Sequence, residues 1–344
     1  MKAVQFTGFG DPDVIRYTEV PEPEPAADEV RIDVKAGALN HLDVWTRRGT
    51  PGLDLEHPHT PGSDAAGVVD AVGADVTRFE IGDRVAVNAG TTDGAAGPPD
   101  DPTLSPAFEV IGEHRPGLHA EFVTVPEANL VPVPEGVSWP TAAAAPLVFG
   151  TAWRMLVTRG DVGPADDVLV LGASGGVGHA AVQIATHAGA TVYATGSTAA
   201  KRSTALDLGA TAAFDYDARP FHREIRERTD GRGVDVVVDH VGEATWDRSL
   251  KSLAKGGRLL TCGATTGPNG ETNINRVFWN QLSIIGSTMF TPGEAEAVLP
   301  LVWDGTFEVQ IRDLLPMSET SRGHRLLEDR EGFGKVVVIP DSEL

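Results

Sequence analysis

The chain has 344 residues and a net charge of −21, from 28 Lys and Arg against 49 Asp and Glu, with 41% hydrophobic residues and one cysteine. These values indicate a globular protein of one large or two ordinary domains, and the acidic charge disfavours nucleic acid and anionic membranes as partners. The single cysteine, Cys262, excludes an internal disulfide and any multi-thiolate metal site, and no apolar run approaches the roughly 18 residues of a membrane span.

Residues 1 to about 147 contain short stretches of alternating apolar and polar residues, broken by Gly, Pro and Asp. This pattern predicts many short strands, arranged as a β-barrel or a strongly bent sheet. Residues 91–106 are mostly Gly, Pro and Asp, which predicts a long exposed loop. The predicted strands are EVRIDVKA with Val30, Ile32 and Val34 on one face, AAGVVDAVG (65–73), IGDRVAVNA (81–89) and AEFVTVP (120–126).

From about residue 148 the pattern changes to apolar runs separated by helix-like segments. A continuously apolar strand is typical of a parallel sheet that is covered on both faces, and alternating strands and helices predict a doubly wound sheet. The first predicted helix carries Val177, Ala181, Ile184 and Ala185 on one face, with Gly189 after its end. The predicted strands are VLVL (168–171), TVYA (191–194), VDVVVDHV (234–241), RLLTC (258–262), LSIIGS (282–287) and finally KVVVIP (335–340).

The segment LVLGASGGVGHA (169–180) lies between a predicted buried strand and a predicted helix, which is the setting of a dinucleotide-binding loop. In the usual spacing Gly175 lets the backbone approach the pyrophosphate and Gly178 allows close helix–sheet packing. Ala173 stands at the first glycine position, although Gly172 adjoins it. The alternative is a glycine-rich turn with no ligand. The residues predicted to bind the cofactor in this loop are Gly172, Ser174, Gly175, Gly176, Val177 and Gly178.

The end of the second strand of this domain predicts which dinucleotide binds. An NAD site usually places an acidic residue there to accept from the ribose hydroxyl, but YATGSTAAKR (193–202) has none. Ser197 offers a hydrogen bond, and Lys201 and Arg202 offer positive charge for a 2′-phosphate. We therefore expect NADP(H), the alternative being a solvent-facing Lys-Arg pair on a helix.

The chain resembles the medium-chain dehydrogenase/reductase superfamily, on its quinone-oxidoreductase side. This resemblance implies a GroES-like β-barrel catalytic domain of residues 1–147, completed by 284–344, and a Rossmann domain of residues 148–283. It also implies an active-site cleft and a homodimer or homotetramer. The motifs that carry the resemblance are LNHLDVWTRRG (39–49), PGSDAAGVVDAVG (61–73), GDRV (82–85), APLVFGTAWRML (145–156), GASGGVG (172–178), KRSTALDLGATAAFDY (201–216), GVDVVVDHVG (233–242) and FGKVVV (333–338).

Zinc alcohol dehydrogenases of that superfamily hold a catalytic zinc through Cys, His and Cys. The matching positions here are Asn40, Ser63 and Leu147, which are poor ligands or none, and the hydroxyl relay residue is matched by Leu42. The structural zinc lobe is replaced by the acidic loop around 91–110, so neither zinc site is expected. One metal hypothesis stays open, in which histidine and carboxylate side chains form a site; its candidates are His41, Asp43, His57, His59 and Asp64.

Without a metal, hydride transfer from a reduced nicotinamide requires an acceptor that is already electrophilic, such as a quinone or an enone. Asn40 is our first candidate for the hydrogen-bond donor to the acceptor oxygen. Asp43 is the second catalytic candidate, as an orienting or proton-passing group, and a turn-capping role is its alternative. Trp45 is expected to line the substrate pocket, unless it is a packing residue.

The resemblance also implies where the rest of the cofactor lies. Cys262 ends an apolar strand, and we expect a buried inert thiol there. Lys335 matches a family lysine that reaches towards the cofactor, its alternative being a charge that opens the last strand. The further residues implied to contact the cofactor are His41 near the phosphates, Thr151 at the nicotinamide, Tyr216 at the 2′-phosphate, and Gly263, Ala264 and Ser287 at the nicotinamide ribose.

The leading hypothesis is an NADPH-dependent, zinc-independent oxidoreductase that transfers hydride to quinones or conjugated enones, with a small-molecule acceptor as its partner. The alternatives are an enoyl-CoA reductase of the acrylyl- or crotonyl-CoA type, an alcohol dehydrogenase-like enzyme with a non-thiolate metal, and a non-catalytic NADPH-binding protein.

Composition adds an expectation about habitat and compartment. Only six of the 28 basic residues are lysine, and acid-rich, lysine-poor surfaces stay hydrated in concentrated salt. We therefore expect a halophilic protein, or alternatively an ordinary acidic enzyme from an arginine-rich genome. The opening MKAVQFTGFG lacks the apolar core of a signal peptide, so we expect a cytoplasmic location.

Overall fold

The computed structural model describes residues 1–50, 52–92, 101–330 and 332–344, which form two compact units. Unit 1 contains Met1–Leu147, Phe290–Glu331 and Lys335–Leu344, and unit 2 contains Val148–Met289 and Gly332–Gly334. The expected divisions of the chain come after residues 147 and 283. The second division of the structure comes six residues later, because the strand Ser283–Gly286 pairs with the sheet of unit 2.

Within the described part of the first 147 residues, the strands are joined by short 3₁₀ turns and two helices. The strands are β1 (Lys2–Phe6), β2 (Ile15–Glu19), β3 (Glu29–Ala38), β4 (Ala65–Val72), β5 (Arg84–Val87), β6 (Gly90–Thr92), β7 (Phe108–Val110), β8 (Phe122–Pro126) and β9 (Leu130–Pro132); the helices are α1 (His41–Arg48) and α2 (Trp139–Ala144).

The following segment alternates helices and strands and contains one π-helical turn, Arg154–Arg159. Its elements are α3 (Pro146–Trp153), β10 (Asp167–Val170), α4 (Gly176–His187), β11 (Thr191–Thr195), α5 (Ala199–Asp207), β12 (Ala212–Phe214), α6 (Phe221–Arg228), β13 (Val234–Val238), α7 (Trp246–Ser252), β14 (Leu253–Thr261), α8 (Ile274–Trp279) and β15 (Ser283–Gly286). The chain ends with α9 (Pro292–Trp303), β16 (Ile311–Pro316), α10 (Thr320–Glu328) and β17 (Lys335–Ile339).

The main sheet of unit 1 has seven strands in the order β16-β17-β3-β4-β5-β9, with β8 also paired to β3. Val30, Ile32 and Val34 of β3 are fully buried, as their alternation predicts, and the register of β3 against β4 shifts twice. Such irregularities bend a sheet. Among the described strands the hydrogen-bonded order does not close into a complete barrel, so the bent-sheet form of the prediction is the one observed.

Unit 2 is built on six parallel strands in the order β12-β11-β10-β13-β14-β15. The predicted doubly wound parallel sheet is therefore confirmed. Leu169, Val237 and Leu259 are fully buried in its core. The strand order reverses between β10 and β13, and ligands of such sheets bind outside the carboxyl ends of the strands at that reversal.

The predicted loop 91–106 is described only in part, since residues 93–100 lie outside the described residues. β6, which precedes these residues, pairs with β7, which follows them. Between them and β7, Pro102–Leu104 forms a 3₁₀ turn that Asp101 caps. In the described portion of the chain, no helix has both the length and the apolar character needed to cross a membrane.

Candidate active site: a glycine-rich loop and a buried polar cluster

The glycine-rich loop of unit 2 runs from the end of β10 to the start of α4. Gly172 has a φ of +60°, and its carbonyl accepts from Gly175 N at 3.0 Å. Helix α4 begins at Gly176, and its N-cap residue Gly175 has no side chain to cap the first amides. The helix N-terminus therefore offers N–H groups and the positive end of the helix dipole to an anion.

Two glycines of this loop serve different purposes. A Cβ on Gly178 would lie 2.2 Å from the carbonyl oxygen of Gly172, so no side chain fits there. A Cβ on Gly175 would meet no protein atom closer than 3.5 Å, which leaves space beside its backbone. Gly178 is therefore required for close packing, whereas the space at Gly175 leaves room for a ligand.

Unit 2 contains buried polar atoms without protein partners, two of them just beyond the carboxyl ends of its strands. Ser287 directly follows β15 and His240 comes two residues after β13, while Thr151 lies on α3. Ser287 Oγ, His240 Nε2 and Thr151 Oγ1 are buried and have no hydrogen-bond partner in the described chain. Since buried polar atoms are normally paired, these orphaned atoms fit a polar ligand such as a dinucleotide.

Sequence reasoning missed His240. The available signal was its place at the carboxyl end of the run VDVVVDHV, on the strand next to β10. Gly263 and Ala264, which the resemblance implies contact the cofactor, follow β14, the strand between β13 and β15, at the same edge of the sheet. The Gly263 carbonyl accepts from Thr261 Oγ1 at 3.2 Å.

The predicted 2′-phosphate region follows β11. Thr198 caps α5 by accepting from Lys201 N, and Lys201 and Arg202 pack against Gly196. Arg202 donates to the Gly196 carbonyl at 2.9 Å and to Asp215 Oδ2 at 2.8 Å. The pKa of Asp215 is lowered, first by the backbone N–H groups of Ala218 and Asp217 and then by Arg202.

Asp215 is a second feature that sequence reasoning missed. No acidic residue ends β11, as noted, but β12 is its neighbour in the sheet and Asp215 is the first residue after β12. Adjacent parallel strands bring their carboxyl ends together, so the Asp215 carboxylate, which follows β12, lies in the predicted 2′-phosphate region. Tyr216 follows it in an exposed turn.

The remaining loop residues lie as follows. Ser174 accepts through its carbonyl from Gly334 N at 3.0 Å, within unit 2. Gly176 and Val177 form the first turn of α4, and both are partly buried. Cys262 follows β14, and burial together with the nearby Asp239 raises its pKa to about 12, which makes the thiolate form unfavourable near neutral pH.

Unit 1 contains a buried polar cluster at the start of α1. Asp43 Oδ2 accepts from Asn40 N at 2.7 Å, so the carboxylate caps the helix. The Asn40 side chain makes no capping bond; its Nδ2 donates to Asp64 Oδ2 at 2.9 Å and to the Ala38 carbonyl at 3.5 Å. Both amide hydrogens of the predicted donor therefore have protein partners.

Lys335 completes this cluster. It is 3% exposed, and Nζ donates to Asn40 Oδ1 at 2.5 Å and to Asp64 Oδ2 at 3.0 Å. Asp64 Oδ1 accepts from Leu147 N at 3.0 Å, so both oxygens of this carboxylate are bonded. Lys335 is thus a buried charge paired with Asp64 and Asn40, rather than merely a charge at the start of β17.

Burial determines the electrostatics of the cluster. It raises the pKa of Asp43 to about 7 and also raises the pKa of Asp64, in both cases against the opposing effect of Lys335. Burial, together with the smaller effect of the Lys335 charge, lowers the pKa of His119 to about 4, against the raising effect of the Ala38 backbone. His119 is therefore neutral at pH 7.

The side chains of the histidine–carboxylate metal hypothesis are engaged by other groups of the protein. Asp64 is bound by Lys335, His57 Nδ1 lies 3.2 Å from the Phe6 carbonyl, and His59 Nε2 lies 3.1 Å from the Gly112 carbonyl. In the described ranges, no group of three or more His, Cys, Asp or Glu side chains could hold a metal ion. That alternative is not supported, because its members have other partners.

His41 and Trp45 lie on α1 beyond the cluster. Their ring centroids are 6.3 Å apart at an interplanar angle of 50°, and both side chains are partly buried. The structure thus brings Asn40, Asp43 and Lys335 together and places His41 and Trp45 on the same helix.

Known proteins resemble this chain over nearly its whole length. Residues 26–135 match the alcohol dehydrogenase GroES-like domain family, and residues 176–304 match the zinc-binding dehydrogenase family. A quinone oxidoreductase of Pseudomonas aeruginosa is 32% identical over 98% of this chain and 99% of its own.

Two solved structures extend the comparison. An NAD-dependent alcohol dehydrogenase has 43% identity and a TM-score of 0.94, over 98% of this chain and 99% of its own. A crotonyl-CoA carboxylase/reductase in complex with NADP has 27% identity and a TM-score of 0.92, over 99% and 95%. The predicted combination of a GroES-like domain and a Rossmann sheet is confirmed. The chain belongs to the medium-chain dehydrogenase/reductase superfamily, in its quinone-oxidoreductase-like branch, and is an NAD(P)-dependent oxidoreductase.

Proposed function

We propose that this protein uses NADPH to reduce quinones or conjugated enones without a catalytic zinc. One observation carries the proposal: in addition to the dinucleotide-type loop of unit 2, the chain has in unit 1 a cluster in which Asn40, Asp64 and Lys335 are hydrogen-bonded to one another and no thiolate is present. The zinc-ligand positions Ser63 and Leu147 offer no thiolate or imidazole. The similarity to quinone oxidoreductases supports the same assignment.

The residues of unit 2 would hold the cofactor. The amides that begin α4 suit the pyrophosphate, and the open space at Gly175 lets a phosphate approach the backbone. Thr151 and Ser287 carry buried hydroxyls without partners, which suit polar groups of the nicotinamide half. When bound, the reduced nicotinamide supplies the hydride.

The polar cluster of unit 1 would stabilise charge on the acceptor oxygen. Of the two hydrogen bonds that Asn40 Nδ2 donates, the one to Ala38 is 3.5 Å long and therefore weak, so that hydrogen is the one available to an acceptor. Lys335 fixes the other end of the amide and polarises it. A pre-positioned donor in a dry site lowers the cost of charge that develops during transfer.

The choice of NADPH over NADH is supported by Lys201 and Arg202, and one structural neighbour is a complex with NADP. Two observations oppose it: Asp215 already binds Arg202, and another neighbour is an NAD-dependent alcohol dehydrogenase. We propose NADPH because Arg202 retains N–H groups beyond its two bonds, and because no carboxylate ends β11 itself.

The reaction is tested by NADPH consumption with a panel of quinones, enones and crotonyl-CoA, at low and high KCl. We expect turnover with quinones or enones, unchanged after treatment with a chelator, and substoichiometric zinc in the same sample by mass spectrometry. The enoyl-CoA alternative, which the crotonyl-CoA reductase relatives favour, predicts fastest turnover with crotonyl-CoA. Cofactor binding without turnover of any acceptor would contradict the proposal.

Replacing Asn40 tests its role as donor. Asn40→Leu removes the amide but leaves the Lys335–Asp64 ion pair, so we expect kcat to fall about 100-fold, as when one oxyanion donor is removed. The dissociation constant of NADPH should stay within about 3-fold of the unmodified protein. Asn40→Ser keeps a short donor and should lose less. An unchanged kcat in a folded Asn40→Leu protein would remove Asn40 from the catalytic machinery.

Cofactor preference is tested with two variants that are expected to change kcat/KM for NADPH in opposite directions. Arg202→Ala should lower kcat/KM for NADPH about 10- to 100-fold, because a charge-assisted hydrogen bond to phosphate is lost. Asp215→Asn removes the competing carboxylate and should raise kcat/KM for NADPH. NADH serves as the internal control, since neither change should greatly affect it. If the unmodified protein prefers NADH, or if Arg202→Ala affects both cofactors equally, the assignment to NADPH is wrong.

We also propose that a second copy of the chain covers one face of unit 2. β15 is the last strand of its sheet and, among the described strands, pairs only with β14. Ile284 on this edge is exposed, as are Ile274, Phe278 and Trp279 of the neighbouring α8. An open strand edge bordered by apolar side chains suits the same edge of another copy, which would satisfy both.

Light scattering of the eluting protein tests this association. We expect a dimer or tetramer, and Ile284→Lys should reduce the mass because a lysine on a strand edge opposes pairing. Ile81→Lys is the matched control, since Ile81 is also an exposed isoleucine but lies on unit 1. A monomeric unmodified protein, or an Ile284→Lys protein of unchanged mass, would contradict the proposal.

A further inference from the structure

His240 has a buried ring nitrogen that nothing in the described chain satisfies. The residue comes two positions after β13, the strand that adjoins β10 in the sheet. Its Nε2 has no hydrogen-bond partner. An unsatisfied buried polar atom is costly, and a site that keeps one is suited to a ligand that supplies the missing partner.

The ring lies against the glycine-rich loop. A Cβ built on Gly172 would come within 3.2 Å of His240 Cε1 and 3.5 Å of Nε2, and one on Gly175 within 3.9 Å of Cε1. The edge of the ring that carries Nε2 therefore borders the turn where α4 begins. The neighbouring space at Gly175 is the open one described above.

The backbone around His240 is held in place. The buried carboxylate of Asp239 accepts from the N–H groups of Val241 and Gly242 and from the hydroxyls of Thr245 and Ser249. The carbonyl of His240 accepts from Thr265 N. The segment is thus fixed before any ligand arrives, so the ring needs little reorganisation to form a hydrogen bond.

The charge state of the ring is also defined. Burial lowers the pKa of His240, against the raising effects of the Asp239 carboxylate and of the backbone carbonyls of Leu171 and of His240 itself, which accept from the ring. The ring is therefore neutral at pH 7, with one N–H and one acceptor nitrogen. Because its N–H is directed to backbone carbonyls, the neutral imidazole presents Nε2 as an acceptor, which fits a sugar hydroxyl rather than a phosphate oxygen.

We propose that His240 Nε2 accepts a hydrogen bond from a ribose hydroxyl of the dinucleotide at the glycine-rich loop. This inference rests on the proposed cofactor binding and adds a residue that neither the motif nor the comparisons supply. Because the ring contacts Gly172 and approaches Gly175, its partner lies in the middle of the dinucleotide rather than at the 2′-phosphate, which the residues after β11 are proposed to bind.

Direct binding of NADPH, followed by calorimetry, tests the inference with three variants. His240→Leu removes the hydrogen bond and should weaken binding about 5- to 30-fold, the effect of one buried hydrogen bond. His240→Gln retains a polar group at the reach of Nε2 and should stay within about 3-fold. His222→Leu is the matched control, because this partly buried histidine lies on α6 of the same unit, and its binding should be unchanged.

A second measurement follows binding in the unmodified protein and uses a substitution only to assign its resonances. The ¹⁵N resonances of the imidazole, assigned by their absence from the His240→Gln protein, should shift when NADPH is added, whereas those of His222 should not. If the unmodified protein binds neither NADPH nor NADH, the proposed function fails. If it binds a cofactor while His240→Leu binds equally well, or while the His240 resonances stay unchanged, the inference about His240 is overturned.

Discussion

The ion pair between Lys335 and Asp64 is the constraint on which unit 1 depends. Lys335 opens the last strand, and Asp64 immediately precedes β4, more than two hundred residues earlier in the chain. Removing either charge would leave the other buried without compensation, which costs several kcal/mol in comparable cases. Asn40 bonds to both partners and begins α1. Two of the three chain segments of this unit, 1–147 and 335–344, and its predicted catalytic residue are therefore held by one polar cluster.

In the proposed function, this cluster takes the role that a catalytic zinc has in zinc alcohol dehydrogenases. A zinc site supplies positive charge where an acceptor oxygen gains negative charge. Here a buried ammonium and an amide occupy that part of unit 1, and the adjoining carboxylate keeps the ammonium in place. Such a site has less polarising power than zinc, which agrees with acceptors that are electrophilic on their own.

Much of the fold followed from sequence, because its signals are local. Alternation in β3, the apolar run of β10 and the glycines before α4 each lie within a few residues. The site was less accessible, because its contacts join distant segments. Asn40 is a donor candidate because it stands at a zinc-ligand position of the family, but its bonds to Asp64 and Lys335 depend on strand register. The Asp215–Arg202 pair depends on β12 lying beside β11, and His240 depends on β13 lying beside β10. None of these neighbours can be deduced from spacing along the chain.

The bond between Arg202 and Asp215 has a consequence for how cofactor affinity responds to ionic strength. Proteins that bind phosphate through arginine usually lose affinity steeply as salt is added, because salt screens the new ion pair. In this protein a 2′-phosphate would compete with a carboxylate that already holds the arginine, and salt weakens that internal bond as well. The two screening effects oppose each other, so the preference for NADPH over NADH would change little over a wide range of salt concentration.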